Sequence, residues 1–245
     1  MWLSGTRMWN NPRLLNAVAG FLTAISLVAL CSAALVVLAR TALFPLREVV
    51  VRGALAQTSR ADVEAAMQSR VTGNFFAADL GAIREALEAL PWVRRVEVRR
   101  GWPDRIDVSI EEHVAFAHWG ESALVNADGE RFPATLEAPL PRFSGPDGTE
   151  REVTRRYREF SRLVAPLGAR VERVTLTSRR AWQLRLSTGL AIELGRDQGA
   201  ETPESRLGRF VAAYPATLGR LARAHENVDL RYPNGFALRV PEFRG

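Results

Sequence analysis

Between Arg13 and Arg40 the chain carries no charged residue. Residues 14–39 read LLNAVAGFLTAISLVALCSAALVVLA, and a helix needs roughly 20 apolar residues to cross a bilayer. A secretory signal has an apolar core of only about 7–15 residues, so the run reads as an uncleaved span. A lipoprotein signal is disfavoured because Leu30 stands where a small residue is needed and the apolar run continues past Cys31. The short N-terminal flank holds Arg7 and Arg13 and no acid, which keeps it cytoplasmic by the positive-inside bias. Trp2 and Trp9 stand where an interfacial aromatic belt forms. With no second hydrophobic span, everything beyond about Phe44 is expected outside the cytoplasm. The expected layout is a tail over 1–13, one helix over 14–39 and a large extracytoplasmic part.

The rest of the chain is globular in composition. With 47% hydrophobic residues in 245, one or two domains with real cores are expected and a multi-span transporter is not. All 33 basic residues are arginine, which excludes a lysine nucleophile, Schiff base or general base. The lone Cys31 excludes an internal disulfide and a cysteine-rich zinc site. His113, His118 and His225 are not spaced as metal ligands, and no nucleophile elbow, Walker loop or dinucleotide fingerprint occurs. Glu111-Glu112-His113 reads as a solvated strand end. The pairs Arg94-Arg95 and Arg99-Arg100 alternate with Glu97 on a strand that faces acids, so nucleic-acid binding is not expected.

A first module is expected over 45–113. Residues 46–52 (LREVVVR) form a β-branched strand ending at Gly53. Ser59, with Asp62 three residues on, caps a helix carrying Val63, Ala66 and Met67. Asp79 caps a second, whose buried face is Leu80, Ile83, Leu87 and Leu90 and which Pro91 ends. Val96 and Val98, then Ile106, Val108 and Ile110, alternate with charged or polar residues across the turn Gly101-Trp102-Pro103-Asp104. Arginines of one strand are expected opposite acids of the next. Trp92, Trp102 and Phe116 read as core or turn packing.

A second module is expected over 114–245. Short strands over 116–119 and 123–126 lead to a Pro-rich stretch between Phe132 and Pro146, read as a surface loop. A helix follows with Val153, Tyr157, Phe160, Val164 and Leu167 on one face. Alternation around Val174, Trp182–Leu186 and 190–194 predicts at least three antiparallel strands, with a turn at Arg179-Arg180. Thr202-Pro203 opens a further helix with Leu207, Phe210, Val211 and Tyr214 on one side. A last hairpin runs from 228–232 through Pro-Asn-Gly to 236–240. The class is α+β, and the last strand offers an unpaired edge to an incoming strand.

The order β-α-α-β-β directly after an anchor resembles a POTRA domain. FPLREVVVRG and LEALPWVRRVEVRRGWPDRIDVSIEEH resemble that of the FtsQ/DivIB cell-division proteins, and TLTSRRAWQLRLSTGLAIELGR with VDLRYPNGFALR resembles their β domain. The resemblance implies a non-catalytic scaffold, single-pass in the bacterial inner membrane at the division septum. It implies no cofactor, no small-molecule substrate and no nucleic acid. It also implies that the C-terminal edge captures FtsB, paired with FtsL, and links early to late divisome proteins. Carried over by motif, the partner-binding residues are Arg231, Tyr232, Asn234, Gly235 and Phe236 of the last hairpin, with Arg179 on the neighbouring turn. The alternatives are a POTRA-bearing secretion or outer-membrane assembly factor, which would carry further repeats or a barrel, and a periplasmic cell-wall enzyme, which would need a catalytic acid pair or nucleophile–base pair.

Overall fold

The computed structural model describes residues 12–40, 45–68, 70, 74–199, 201–216, 227–232 and 235–239. Trp2, Trp9, Asn234, Val240 and His225 therefore lie outside the described residues. The chain divides into two compact units, Met1–Glu112 and His113–Gly245.

Helix α1 (Pro12–Arg40) has 29 residues, about 44 Å at 1.5 Å per residue. Every side chain described along it is exposed, so among the described residues nothing covers its apolar surface. The hydroxyls of Thr23 and Ser32 donate to the Ala19 and Val28 carbonyls at 2.8 Å each, which satisfies them inside the helix as hydrocarbon requires. Among the described residues this is the one helix long and apolar enough to cross a membrane, and it fits single-pass membrane anchoring.

The first unit continues as β1 (Glu48–Arg52), α2 (Arg60–Gln68), α3 (Leu80–Glu88), β2 (Val93–Gly101) and β3 (Arg105–Glu112), the β-α-α-β-β order expected. Its sheet order is β1-β3-β2, with β1 parallel and β2 antiparallel to the central β3. Both caps form as read: Ser59 Oγ accepts from the Asp62 amide at 3.1 Å, and Asp79 Oδ1 accepts from that of Ala82 at 3.0 Å. Ile83 and Leu87 seat α3 on Val96, Ile106 and Val108, all fully buried, each contributing about 1.5–3 kcal/mol of burial.

One expectation for this unit is met by the strand register, with different ion pairs, and two are corrected. The register does place Arg95 opposite Glu111 and Arg99 opposite Asp107, but the ion pairs differ. Arg94 reaches Glu111 at 3.0 Å, because the register shifts between Val93 and Arg95, and Arg99 turns to Glu97 on its own strand at 2.9 Å. Trp102 packs into neither core nor turn; it is 81% exposed at the hairpin tip. Glu112 is no solvated strand end. Its carboxylate accepts from the amides of Ala56 at 2.7 Å, Gln57 at 3.1 Å and Thr58 at 2.6 Å, holding the loop between β1 and α2.

The second unit comprises β4 (Ala115–Trp119), β5 (Ala123–Asn126), β6 (Arg131–Phe132), β7 (Arg142–Ser144), α4 (Glu150–Val164), β8 (Val171–Leu176), β9 (Trp182–Leu186), β10 (Ala191–Gly195), α5 (Pro203–Ala213), β11 (Asn227–Asp229) and β12 (Ala237–Arg239). Among the described residues these strands form one sheet in the order β12-β11-β10-β9-β8-β7-β4-β5-β6. Pairing is mainly antiparallel, with parallel contacts at β4–β7, β7–β8 and β10–β11. Val153, Phe160 and Val164 of α4, with Leu207 and Phe210 of α5, join Val174, Leu184, Leu186, Ile192 and Leu194 in one buried core.

The Pro-rich stretch is not only a surface loop, since β7 inside it joins β8 to β4 and buries Phe143 to 1%. Three residues between Pro141 and Gly145 are too few to show alternation. His113 stacks on Phe132, centroids 4.2 Å apart, with its Nδ1 3.2 Å from Asn126 Nδ2.

Candidate functional site

The C-terminal end of the long sheet is built by a change of pairing. Strand β11 runs parallel to β10, and β12 folds back antiparallel on β11 with Val228 opposite Leu238. Strand β12 comes last in the order, and among the described residues it pairs with β11 alone. Its outer N–H and C=O groups therefore face away from the sheet, the arrangement that accepts a further strand. Leu238 is 37% exposed on this edge.

Beside the edge lies an arginine-lined cleft. Arg179, Ala181, Gly195, Arg196, Gln198, Arg206, Arg231 and Tyr232 enclose a volume of about 570 Å³. Arg231 is oriented by Asp229, its Nε lying 2.9 Å from Oδ1 and its Nη2 2.6 Å from Oδ2. Hydrogen bonding from Arg231 holds the Asp229 carboxyl below the usual aspartate range, against the opposing pull of burial. The same pairing raises Arg231.

Behind Arg231, the floor of the cleft requires a glycine. Gly195 has φ +75°, and a Cβ there would lie 2.8 Å from Arg231 Cγ. Arg206, 2% exposed, forms the inner wall. It donates to the carbonyls of Leu194 and Arg196 at 2.7 Å each and to Gln198 Oε1 at 3.1 Å, tying α5 to the end of β10.

Of the predicted residues, Arg179, Arg231 and Tyr232 meet at this cleft. Tyr232 is 55% exposed, so it does not pack the core. Arg179 is exposed on its turn and makes no ion pair among the described residues, whereas its neighbour Arg180 (φ 63°) donates to both oxygens of Glu152 at 2.9 Å. Gly235 is exposed with open space around it. Phe236 faces the other way: it is half-buried and meets Phe210 edge-on at 5.6 Å. Asn234 is outside the described residues.

Arg196, Gln198, Arg206 and Asp229 were not singled out by the sequence. One signal existed for Arg206, which falls three residues after Pro203 and four before Phe210, on the buried stripe of α5. A second cleft, along the polar sheet face, is lined by Gln183, Glu193, Asn227, Asp229, Arg231, Ala237 and Leu238. Gln183 Nε2 lies 3.0 Å from both oxygens of Glu193 there. Arg231 thus borders both clefts.

Comparison with known proteins converges on this architecture. The family profile for the POTRA domain, FtsQ-type, matches residues 44–113, and that for cell division protein FtsQ/DivIB, C-terminal, matches residues 117–231. Cell division protein FtsQ of Burkholderia pseudomallei is 43% identical over 240 residues, covering 97% of this chain and 96% of that one. FtsQ of Nitrosospira multiformis is 43% identical over 239 residues, 95% and 99% of the two chains. FtsQ of Bordetella pertussis is 38% identical over 254 residues, 95% and 93%. The chain belongs to the FtsQ/DivIB family of cell division proteins.

Proposed function

We propose that the protein is a non-catalytic scaffold of the divisome that captures the FtsB–FtsL pair at its C-terminal edge and so links early to late division proteins. The observation that carries this reading is the exposed outer side of β12, next to a cleft whose charged walls are arginine. A strand from the partner would add to β12 through backbone hydrogen bonds. Arg231 and Arg179 would meet partner carboxylates, where charge-assisted hydrogen bonds are strongest. Tyr232, aromatic and half-exposed at the mouth of the cleft, suits a central anchor. In this reading Gly235 leaves room for close backbone approach, and Phe236 acts indirectly, by holding the hairpin on Phe210. The bulk of the protein would lie in the periplasm, with the N-terminus cytoplasmic and the anchor in the inner membrane at the septum.

The test is calorimetric titration of the full chain, in nanodiscs, with the extracytoplasmic segments of FtsB and FtsL. Saturable binding is expected, weakened in Tyr232→Ala by at least about 2 kcal/mol, or roughly thirtyfold. A well-folded wild type that does not bind would overturn the proposal.

A further inference from the structure

Outside α1, the exposed large apolar side chains described in the first unit are Phe76, 47% exposed, and Trp102, 81% exposed. They sit 26 residues apart in sequence, yet the fold puts both at one end of the unit. Trp102 is at the β2–β3 tip, next to Asp104, whose carbonyl accepts from the Arg47 amide at 2.9 Å. Phe76 follows Asn74, which bridges to Pro45. Arg100 ties the two loops together, donating to the carbonyls of Phe75 at 3.1 Å, Phe76 at 3.3 Å and Ala78 at 2.8 Å.

That end is also where the chain arrives from the membrane helix. Pro45 lies five residues beyond Arg40, so at most roughly 18 Å of chain separates it from the end of α1. The 26-residue apolar span, 12–37, is about 39 Å long against a hydrocarbon core of about 30 Å, which leaves its end in the headgroup zone. Both exposed aromatics are therefore held within reach of the bilayer surface, whichever side of the membrane the unit occupies. The opposite end, with Gln57 and the Glu112 carboxylate, is polar.

We infer that the Phe76 and Trp102 loops form a second membrane contact, seating two aromatic rings in the lipid headgroup region beside the anchor. A tryptophan loses little at the interface, since its ring is partly apolar and its indole N–H finds water or headgroup oxygens. Arg47 and Arg105, with side chains 73% and 45% exposed, flank the tip and supply donors to lipid phosphates. Arg47 also holds Asp104 at 3.8 Å and Arg105 holds Asp107 at 3.5 Å, which moderates the acids on this end. The consequence is orientational: anchor and loops together fix the tilt of the unit over the membrane.

The inference rests on α1 spanning the bilayer, and the experiment separates the two. Full-chain Cys31→Ser protein, carrying a single cysteine at Trp102→Cys, Phe76→Cys, Gln57→Cys or Leu22→Cys, is labelled with an environment-sensitive fluorophore. Each variant is placed in nanodiscs of phosphatidylethanolamine and phosphatidylglycerol containing spin-labelled lipid. Quenching at 102 and 76 is expected to exceed that at 57 by at least about threefold, with 22 quenched most by mid-chain spin labels. Strong quenching at 22 with 102 and 76 no different from 57 would overturn the loop contact alone. No quenching at 22 would overturn the span and the contact together. Labels at 102 and 76 that are shielded from water but not quenched by lipid would assign this end to a protein neighbour, against the inference.

Discussion

Arg231 closes two parallel hydrogen bonds onto Asp229, two residues earlier, at 2.9 Å and 2.6 Å. The Asp229 side chain is largely covered, whereas that of Arg231 is 61% exposed. The acid is thus the fixed half of the pair, and the guanidinium stands at the border of both clefts with donors to spare.

Charge reversal separates the internal role of this pair from an external one. Arg231→Glu is expected to lower thermal stability slightly, by no more than about 1 kcal/mol, because the arginine is exposed. Adding Asp229→Arg restores the charge pair and part of the melting temperature, since an arginine at 229 cannot accept from the residue 231 amide as Asp229 Oδ1 does at 3.0 Å. Binding of the FtsB–FtsL segments is expected to stay lost in the double variant, since position 231 still carries the wrong charge. Recovery of binding together with stability would show that the pair serves folding alone.

Gly195→Ala combines two penalties. Its φ of +75° disfavours any side chain, and the new Cβ would meet Arg231 Cγ at 2.8 Å. Denaturant unfolding should show a loss of about 1–2 kcal/mol, and calorimetry a weaker partner complex from displacement of Arg231.

Removing the buried Arg206 strands three acceptors. Arg206→Ala is expected to cost about 3 kcal/mol, read from denaturant midpoints. Arg206→Lys should rescue little of it. A single ammonium lacks the planar fork that reaches the Leu194 and Arg196 carbonyls and Gln198 together.

Glu112 makes the first unit sensitive to acid. Burial alone would raise its pKa, but hydrogen bonds from Thr58, Ala56 and Gln57 outweigh that and lower it from the ordinary 4.5. A depressed folded value means the stabilisation is complete above about pH 4.5 and disappears as pH falls through the lowered folded pKa. Glu112→Gln should therefore unfold at a lower temperature than wild type at pH 7, with the gap closing below pH 4.5. A gap that persists at low pH would mean that shape rather than charge holds the loop.

The local elements were legible because each is written locally. Ser59 and Asp79 announced their helices, since a cap needs only a side chain and an amide three residues on. Ile106, Val108 and Ile110 announced their strand by alternation. Strand β7 was not legible: three residues carry no period, and what holds Phe143 is two neighbours distant in sequence. For the candidate site, Arg231 and Tyr232 were accessible through their motif, while the turn of Phe236 onto Phe210 depends on where α5 lies.

By itself the sequence determined the long apolar N-terminal helix, the β-α-α-β-β order and the α+β class, because hydrophobic run length, periodicity and caps act over a few residues. Only the tertiary structure decided which distant groups meet. It bound Glu112 to the loop 56–58, set Arg206 beneath Arg231 around Gly195, and brought Phe76 and Trp102 to one end beside Pro45. Those encounters come from sheet register and from packing of helices on sheet, which are cooperative properties of the whole chain and leave no mark in any short window of it.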